Sequence, residues 1–177
     1  MNVRLQADAT APPFEELFRR LFEQEYPSLF RYLQRLTGDA DFAEDLAQEV
    51  FVRLYQRGSL PDDTRGWMAA VAHNLLRDEK RTKKRRARLV QARPLELNRW
   101  PALSAEEKVL AAERRQSVRK ALDKLSERDR RLLLLRHEGY SYREIAHAVG
   151  VNETSIGTLL VRATSAFQSA FEGRAGD

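Results

Sequence analysis

The most constraining feature of this sequence is a segment with the spacing of two short helices joined by a tight turn. Residues 141–163 read SYREIAHAVGVNETSIGTLLVRA, and Ser141 with Glu144 forms a capping-box pattern at the start of the first helix. Gly150 suits a left-handed turn, and Asn152 is placed to cap the second helix. The apolar residues expected to meet in one small core are Ile145, Val149, Ile156 and Leu159. The segment predicts a helix-turn-helix. DNA binding is favoured over a plain helical hairpin, because in a hairpin the glycine and the apolar positions would have this spacing only by chance.

The second helix of this motif is predicted to run from Glu153 to about Phe171. In a helix-turn-helix the first exposed side chains of this helix face base edges in the major groove. The candidate DNA-contacting residues are Arg143, Asn152, Glu153, Thr154, Ser155, Thr158 and Arg162.

Apolar residues elsewhere recur at intervals of three and four, which predicts amphipathic helices and an all-α fold. A first stripe runs from Phe14 to Leu36, and Pro27 is expected to split or kink its helix. After Gly38 and Asp39 a second helix carries a stripe of four residues with Tyr55 beside it. That stripe is Phe42, Leu46, Val50 and Leu54. Residues 56–64 have the composition of a loop, and a third helix is predicted from about Arg65.

The 177 residues fit two small helical domains joined by a flexible linker. Residues 88–104 contain Pro94 and Pro101 and show no sustained period, so they are interpreted as the linker. The predicted domains span residues 14–87 and 105–172, and residues 1–13 are expected to be a disordered N-terminal segment.

Basic residues are concentrated in one short stretch of the chain. The net charge is +5, and residues 77–93 alone contain nine basic and two acidic side chains. Such a run is either a solvated stretch or a salt-sensitive contact with a polyanion, and composition does not decide between them.

The chain has no cysteine, which excludes disulfides and thiolate sites. No apolar run approaches the roughly 20 residues that span a bilayer, so a cytoplasmic protein without membrane insertion is expected.

Four stretches of the chain together carry a family resemblance. They are residues 26–39 (YPSLFRYLQRLTGD), 41–55 (DFAEDLAQEVFVRLY), 65–81 (RGWMAAVAHNLLRDEKR) and 122–171. These stretches resemble the extracytoplasmic-function group of bacterial RNA polymerase sigma factors: the first three look like successive helices of the sigma-two domain, and the last looks like the sigma-four domain. The AEDLAQEVF stretch is the most specific part of the resemblance. The resemblance implies an alternative sigma factor that binds core RNA polymerase, recognises −10 and −35 promoter elements and opens the promoter.

The resemblance also assigns roles to individual residues. A polar face of the second helix would dock on the clamp coiled coil of the largest polymerase subunit. This face comprises Glu44, Asp45, Gln48 and Glu49. The alternative is an ordinary solvated helix face, which has the same composition. The loop at residues 56–64 would hold a flipped base of the −10 element, and the residues that would contact DNA near it are Arg65, Asn74, Arg77, Lys80 and Arg81. Trp67 would be an aromatic wall there, but its place on the apolar stripe favours a core role.

The helix-turn-helix would bind the −35 element, and here the chain departs from many family members. Where they carry several basic residues, residues 156–163 read IGTLLVRA, with only Arg162 basic. His73 stands where arginine is frequent in the family. An anti-sigma factor is a further partner that the resemblance implies.

Two other classes of protein fit this sequence less well. A stand-alone helix-turn-helix regulator is the main alternative, but residues 1–93 show no ligand-pocket or phosphoacceptor signature. An enzyme has little support, because His73, His137 and His147 are isolated from any nucleophile, base and orienting set. No cofactor and no metal site is predicted.

Overall fold

The computed structural model describes residues 12–86 and 105–173 of the chain. Side chains are described for all of these except residues 80–86, 105–109 and 111. The described residues form helices and no strand, which confirms the predicted all-α fold. The helices are α1 (Phe14–Thr37), α2 (Ala40–Arg57), α3 (Thr64–Arg86), α4 (Ala105–Asp123), α5 (Glu127–His137), α6 (Tyr142–Val149) and α7 (Glu153–Glu172). The linker at residues 88–104 and residues 1–11 of the predicted N-terminal segment lie outside the described residues.

The junction between α1 and α2 follows the sequence signals. Gly38 has a φ of 78° and ends α1, and the Asp39 side chain then caps α2 by accepting a hydrogen bond from the Phe42 N–H at 3.0 Å. Of the two outcomes expected at Pro27, a split is wrong, because α1 continues through it, and a kink stays a prediction. Pro27 is exposed, so the carbonyl that it leaves without an N–H partner can face water. Packing of α1 on α2 supports the helix as well.

A short turn at residues 58–63 joins α2 to α3. The observed loop is shorter than the predicted one at residues 56–64, because Gln56 and Arg57 complete α2. Gly58, with a φ of 71°, follows them. Asp63 caps α3, since its Oδ1 accepts a hydrogen bond from the Gly66 N–H at 3.0 Å. A buried stripe then runs along α3, and Trp67 packs beside it as a partly buried side chain. The stripe is Met68, Ala69, Ala72 and Leu76.

The helix-turn-helix is present at the predicted position. Ser141 and Glu144 form the capping box, and Gly150 adopts a φ of 73° between α6 and α7. Asn152 occupies the N-cap position of α7, but its side chain forms no capping hydrogen bond. Buried Arg131 of α5 donates a hydrogen bond to the Ala148 carbonyl at 2.5 Å, which satisfies an acceptor in the last turn of α6. The motif is therefore held by α5 as well as by its own core.

The two halves of the chain share one apolar core in this structure. Buried side chains of α1, α2 and α3 form a continuous cluster with those of α5, α6 and α7. The packing between the halves is made by α5 against α1 and by α6 against α3. Consequently the helix-turn-helix lies directly against the N-terminal half.

Candidate nucleic-acid interface and docking face

The polar face of α2 is open to solvent. Its opposite face packs into the core, so Glu44, Asp45 and Gln48 are exposed and Glu49 is partly exposed. Two hydrogen bonds within the helix order this face: Gln48 Nε2 donates to Glu44 Oε1 at 3.4 Å, and Arg53 Nε donates to Glu49 Oε1 at 2.8 Å. The four predicted docking residues thus form one acidic and amide-bearing surface, which can accept hydrogen bonds from a basic partner.

Two large apolar side chains extend this face, although neither was predicted to belong to it. Val52 is 47% exposed and Tyr55 is 52% exposed. Tyr55 was expected beside the buried stripe, but its ring instead contacts Phe14 and Phe18 of α1 at the edge of the core. The spacing of Gln48, Val52 and Tyr55 could have predicted that Val52 and Tyr55 belong to this face, because residues three and four apart share a helix face.

The predicted −10 residues on α3 fall into three groups. Asn74 and Arg77 are exposed, and their spacing of three places them on neighbouring turns of one helix face. Lys80 and Arg81 continue α3, but their side chains lie outside the described residues. Arg65, at the start of α3, is directed into the contact between the two halves.

Arg65 is surrounded by groups of the same protein. Its Nε donates to Glu25 Oε2 at 2.8 Å, and its Nη1 lies 3.4 Å from Glu144 Oε2. Its Cζ lies 4.2 Å from the centroid of the Tyr140 ring, a cation–π distance. Since these partners occupy the guanidinium, Arg65 is not available to a phosphate in this arrangement.

The residues of the helix-turn-helix that were predicted to contact DNA are exposed. Ile145 and Ile156 are buried between α6 and α7, and Val149 and Leu159 are partly buried beside them, as the spacing predicted. The opposite face of α7 and the start of α6 point to solvent. The exposed candidates there are Arg143, Asn152, Glu153, Thr154, Ser155, Thr158 and Arg162. All seven predicted residues therefore share one accessible surface.

This surface carries little positive charge. Along α7 from Glu153 to Glu172 the sole basic residue is Arg162, and the neighbouring Val161 is 67% exposed. Arg143 of α6 is the other exposed cation among the candidates. Fewer cations allow fewer phosphate contacts, so DNA binding by this surface would depend more on groups directed at base edges.

Within residues 12–86 and 105–173, no group of histidine and acidic side chains has the arrangement of a metal site. His147 pairs instead with Asp63, with 2.9 Å between Nδ1 and Oδ2. Burial and the nearby Arg35 and Arg31 lower the pKa of His137.

Within the described residues, every helix is too short or too polar to cross a membrane.

Comparisons with known proteins match both halves. The profile for Sigma-70 region 2 matches residues 21–86, and that for Sigma-70, region 4 matches residues 115–166. ECF RNA polymerase sigma factor SigL of Mycobacterium tuberculosis is 32% identical over 157 residues, covering 86% of this chain and 87% of the relative. ECF RNA polymerase sigma factor BldN of Streptomyces coelicolor is 29% identical over 84% of this chain and 58% of its own length.

The fold of both halves is also found in a solved structure. The sigma factor RpoE of Bartonella quintana, in complex with the anti-sigma factor NepR, superposes with a TM-score of 0.67 at 19% identity. The match covers 89% of this chain and 98% of that one.

A chain that joins a region 2 fold to a region 4 helix-turn-helix defines a sigma factor of RNA polymerase. This chain belongs to the extracytoplasmic-function family of those factors. It is an alternative sigma factor, and the stand-alone regulator is not favoured. Sigma factors are generally non-catalytic.

Proposed function

We propose that this chain binds core RNA polymerase through α2, contacts a −10 element through α3 and a −35 element through α7, and opens the promoter. The observation that carries the proposal is the presence in one chain of an exposed polar face on α2 and an exposed recognition helix on α7. A stand-alone regulator requires only the second of these surfaces.

The docking face is proposed to comprise Glu44, Asp45, Gln48 and Glu49, with Val52 as an apolar extension. The carboxylate and amide oxygens of this face lie near the exposed side chain of Val52, so the face suits a partner that presents basic and apolar groups together. The double reversal Asp45→Lys with Glu49→Lys is expected to lower affinity for core polymerase by about tenfold or more, because like charges would then face each other.

Glu113→Lys with Glu172→Lys is the matched control, since both residues are exposed acids outside α2. The control is expected to bind core polymerase as the wild type does. Equal affinity of the two double variants would contradict the assignment of the docking face.

The proposed −10 contacts are Arg65, Asn74, Arg77, Lys80 and Arg81 on α3. Arg77 and Asn74 are supported by their exposure on one helix face. Cations along one helix suit the phosphates of a separated strand, and an amide suits a base edge. The −35 contacts are proposed from the exposed surface of α6 and α7 described above, with Arg143 and Arg162 directed at phosphates.

Run-off transcription with purified core polymerase and a library of promoter fragments tests the whole proposal. The expected result is a transcript that requires both this chain and a two-element promoter. Tight operator binding by the isolated chain, with no binding to core polymerase, would support the regulator instead.

Two further features follow from the proposed function. A factor that acts on polymerase and chromosomal DNA works in the cytoplasm. An anti-sigma protein is proposed as a third partner, and co-purification of a protein that prevents core binding would support it. No cofactor enters the proposed function.

A further inference from the structure

A small apolar notch lies beside the recognition helix. Tyr142 at the start of α6 forms one side of it, and Gly157 and Val161 of α7 form the other. Tyr142 and Val161 are both exposed, so the notch is open to solvent. The Cζ of Arg136 lies 5.6 Å from the centroid of the Tyr142 ring, a cation–π distance that holds the ring in place. The three notch residues have no role in the proposed function so far.

Packing within the chain does not explain the glycine of this notch. Beyond its two chain neighbours and the backbone of its own helix, a Cβ at Gly157 would meet Cε2 of Tyr142 at 3.8 Å, an ordinary contact distance. Alanine would therefore fit there, and it favours a helix more than glycine does. Glycine is also the residue that lets a ligand approach the backbone closely. The space beside Gly157 thus suits a group that comes from a partner.

The notch lies on the same surface as the predicted DNA contacts. Gly157 is three residues after Thr154 and four before Val161, so the three residues share one face of α7. Thr154 is a predicted DNA contact, and Tyr142 directly precedes another, Arg143. A DNA duplex that is bound through these contacts would cover the notch.

Thymine presents the matching group in the major groove. The base edges there carry hydrogen-bond donors and acceptors, and the C5-methyl group of thymine is the apolar exception. A donor or acceptor placed between a tyrosine ring and a valine side chain would lose its bond to water without a replacement. A methyl group loses nothing of this kind, and it is the size of the Cβ that Gly157 lacks.

We propose that this notch receives the C5-methyl group of a thymine in the −35 element, so that Gly157 and Val161 determine specificity for that base. The inference rests on the proposed function, because it requires α7 to enter the major groove of this element. It also gives α7 a direct contact with a base edge, although Arg162 is its sole basic residue. One position of the element must then be an A·T pair with its thymine on a defined strand.

Replacement of thymine by deoxyuridine tests the contact, because deoxyuridine pairs with adenine and lacks only the C5-methyl group. The probe is a promoter fragment selected with holoenzyme assembled from core polymerase and the full chain. Each thymine of its −35 element, on either strand, is replaced in turn, and the affinity for holoenzyme is measured by competition. One replacement is expected to weaken binding roughly fourfold, the loss for about one buried methyl group.

Two substitutions in the notch should change this preference in different ways. Gly157→Ala supplies a methyl group from the protein, so deoxyuridine at the sensitive position should bind about twofold or more tightly than thymine. Val161→Ala removes one side of the notch, and its preference for thymine should fall below about twofold. The matched controls are Ser169→Ala, which favours the helix of α7 elsewhere, and Leu110→Ala, which truncates an exposed apolar residue of α4. Both controls should keep the wild-type preference.

The free Gly157→Ala chain should unfold at the same temperature as the wild type or a higher one, because its Cβ has room. A clearly lower midpoint would show that the notch is not open, and would overturn the inference. Equal binding of every deoxyuridine fragment by wild-type holoenzyme, or a selected −35 element without thymine, would overturn it too. A weaker affinity of Val161→Ala for core polymerase, with the thymine preference unchanged, would assign the notch to a protein contact instead. If the chain selects no promoter with core polymerase, the proposed function itself fails, so the two failures are distinguishable.

Discussion

The guanidinium of Arg65 lies over the ring of Tyr140, with 4.2 Å between Cζ and the ring centroid. The two residues belong to different halves of the chain and to no common helix. Burial raises the pKa of the Tyr140 hydroxyl well above its ordinary value, so this group stays neutral at physiological pH. The contact between ring and cation is therefore insensitive to the ionisation of the tyrosine.

Tyr140→Phe and Tyr140→Ala should differ strongly in their free energy of unfolding. Alanine removes the ring that packs on Tyr32 and under Arg65, and a loss of about 3 kcal/mol or more is expected. Phenylalanine keeps the ring and removes a buried hydroxyl that has no hydrogen-bond partner among the described groups, so a change within about 1 kcal/mol is expected. Urea denaturation measures both, and equal losses would contradict the role of the ring.

Gly38→Ala and Gly58→Ala should destabilise the chain by similar amounts. Both glycines have left-handed backbone conformations, with φ of 78° and 71°, so each substitution costs about 1–2 kcal/mol. A Cβ at Gly38 would meet the guanidinium of Arg119 from α4, but this is the end of an exposed, flexible side chain that can move aside; Gly58 has open space around it. Thermal unfolding of the two variants measures both costs, and a clearly lower midpoint for Gly38→Ala would show that Arg119 resists displacement.

Arg162→Gln should reduce the salt dependence of promoter binding by the holoenzyme. Each phosphate contact contributes about 0.9 to the slope of log K against log salt, so a slope smaller by about one is expected. Fluorescence anisotropy at several salt concentrations measures the slope. Arg114→Gln removes an exposed arginine of α4 and is the matched control. If both variants change the slope alike, Arg162 makes no particular phosphate contact.

Stability should fall in mildly acidic solution in part through His137. Burial, with Arg35 and Arg31, lowers the pKa of His137 in the folded chain. Above about pH 6.5 the imidazole is neutral in both states, and below it the unfolded chain binds the proton more readily. The free energy of unfolding therefore decreases as the pH falls below about 6.5. The decrease should be smaller in His137→Gln, and an unchanged pH profile in that variant would contradict the lowered pKa.

Local sequence signals predicted local structure well. The capping box at Ser141 and Glu144 and the left-handed Gly150 are where the spacing placed them. Leu46, Val50 and Leu54 of the predicted α2 stripe are buried, and Phe42 is partly buried. Pro27 shows the limit of such rules, because packing on α2 and exposure of the proline maintain one continuous helix. Spacing alone also placed Tyr55 beside the buried stripe, and its contacts with Phe14 and Phe18 lie at the edge of the core.

The contact between the halves could not be predicted in the same way. Periodicity identifies which face of a helix is apolar, but it does not say which other helix covers that face. Glu138 and Arg35 look like ordinary solvated charges in the sequence, and only the fold brings them together. For the same reason Arg65 was predicted simply as a DNA contact, and its partners Glu25 and Glu144 were not foreseen.

The sparsely charged face of α7 has a consequence for how such a factor is distributed in a cell. A chromosome offers roughly 10⁶–10⁹ non-specific sites, and these retain proteins chiefly through contacts between cations and phosphates. A recognition helix whose sole cation is Arg162 gains little from each such site. Non-specific retention of the chain on DNA would then depend on the basic stretch at residues 77–93 and little on α7.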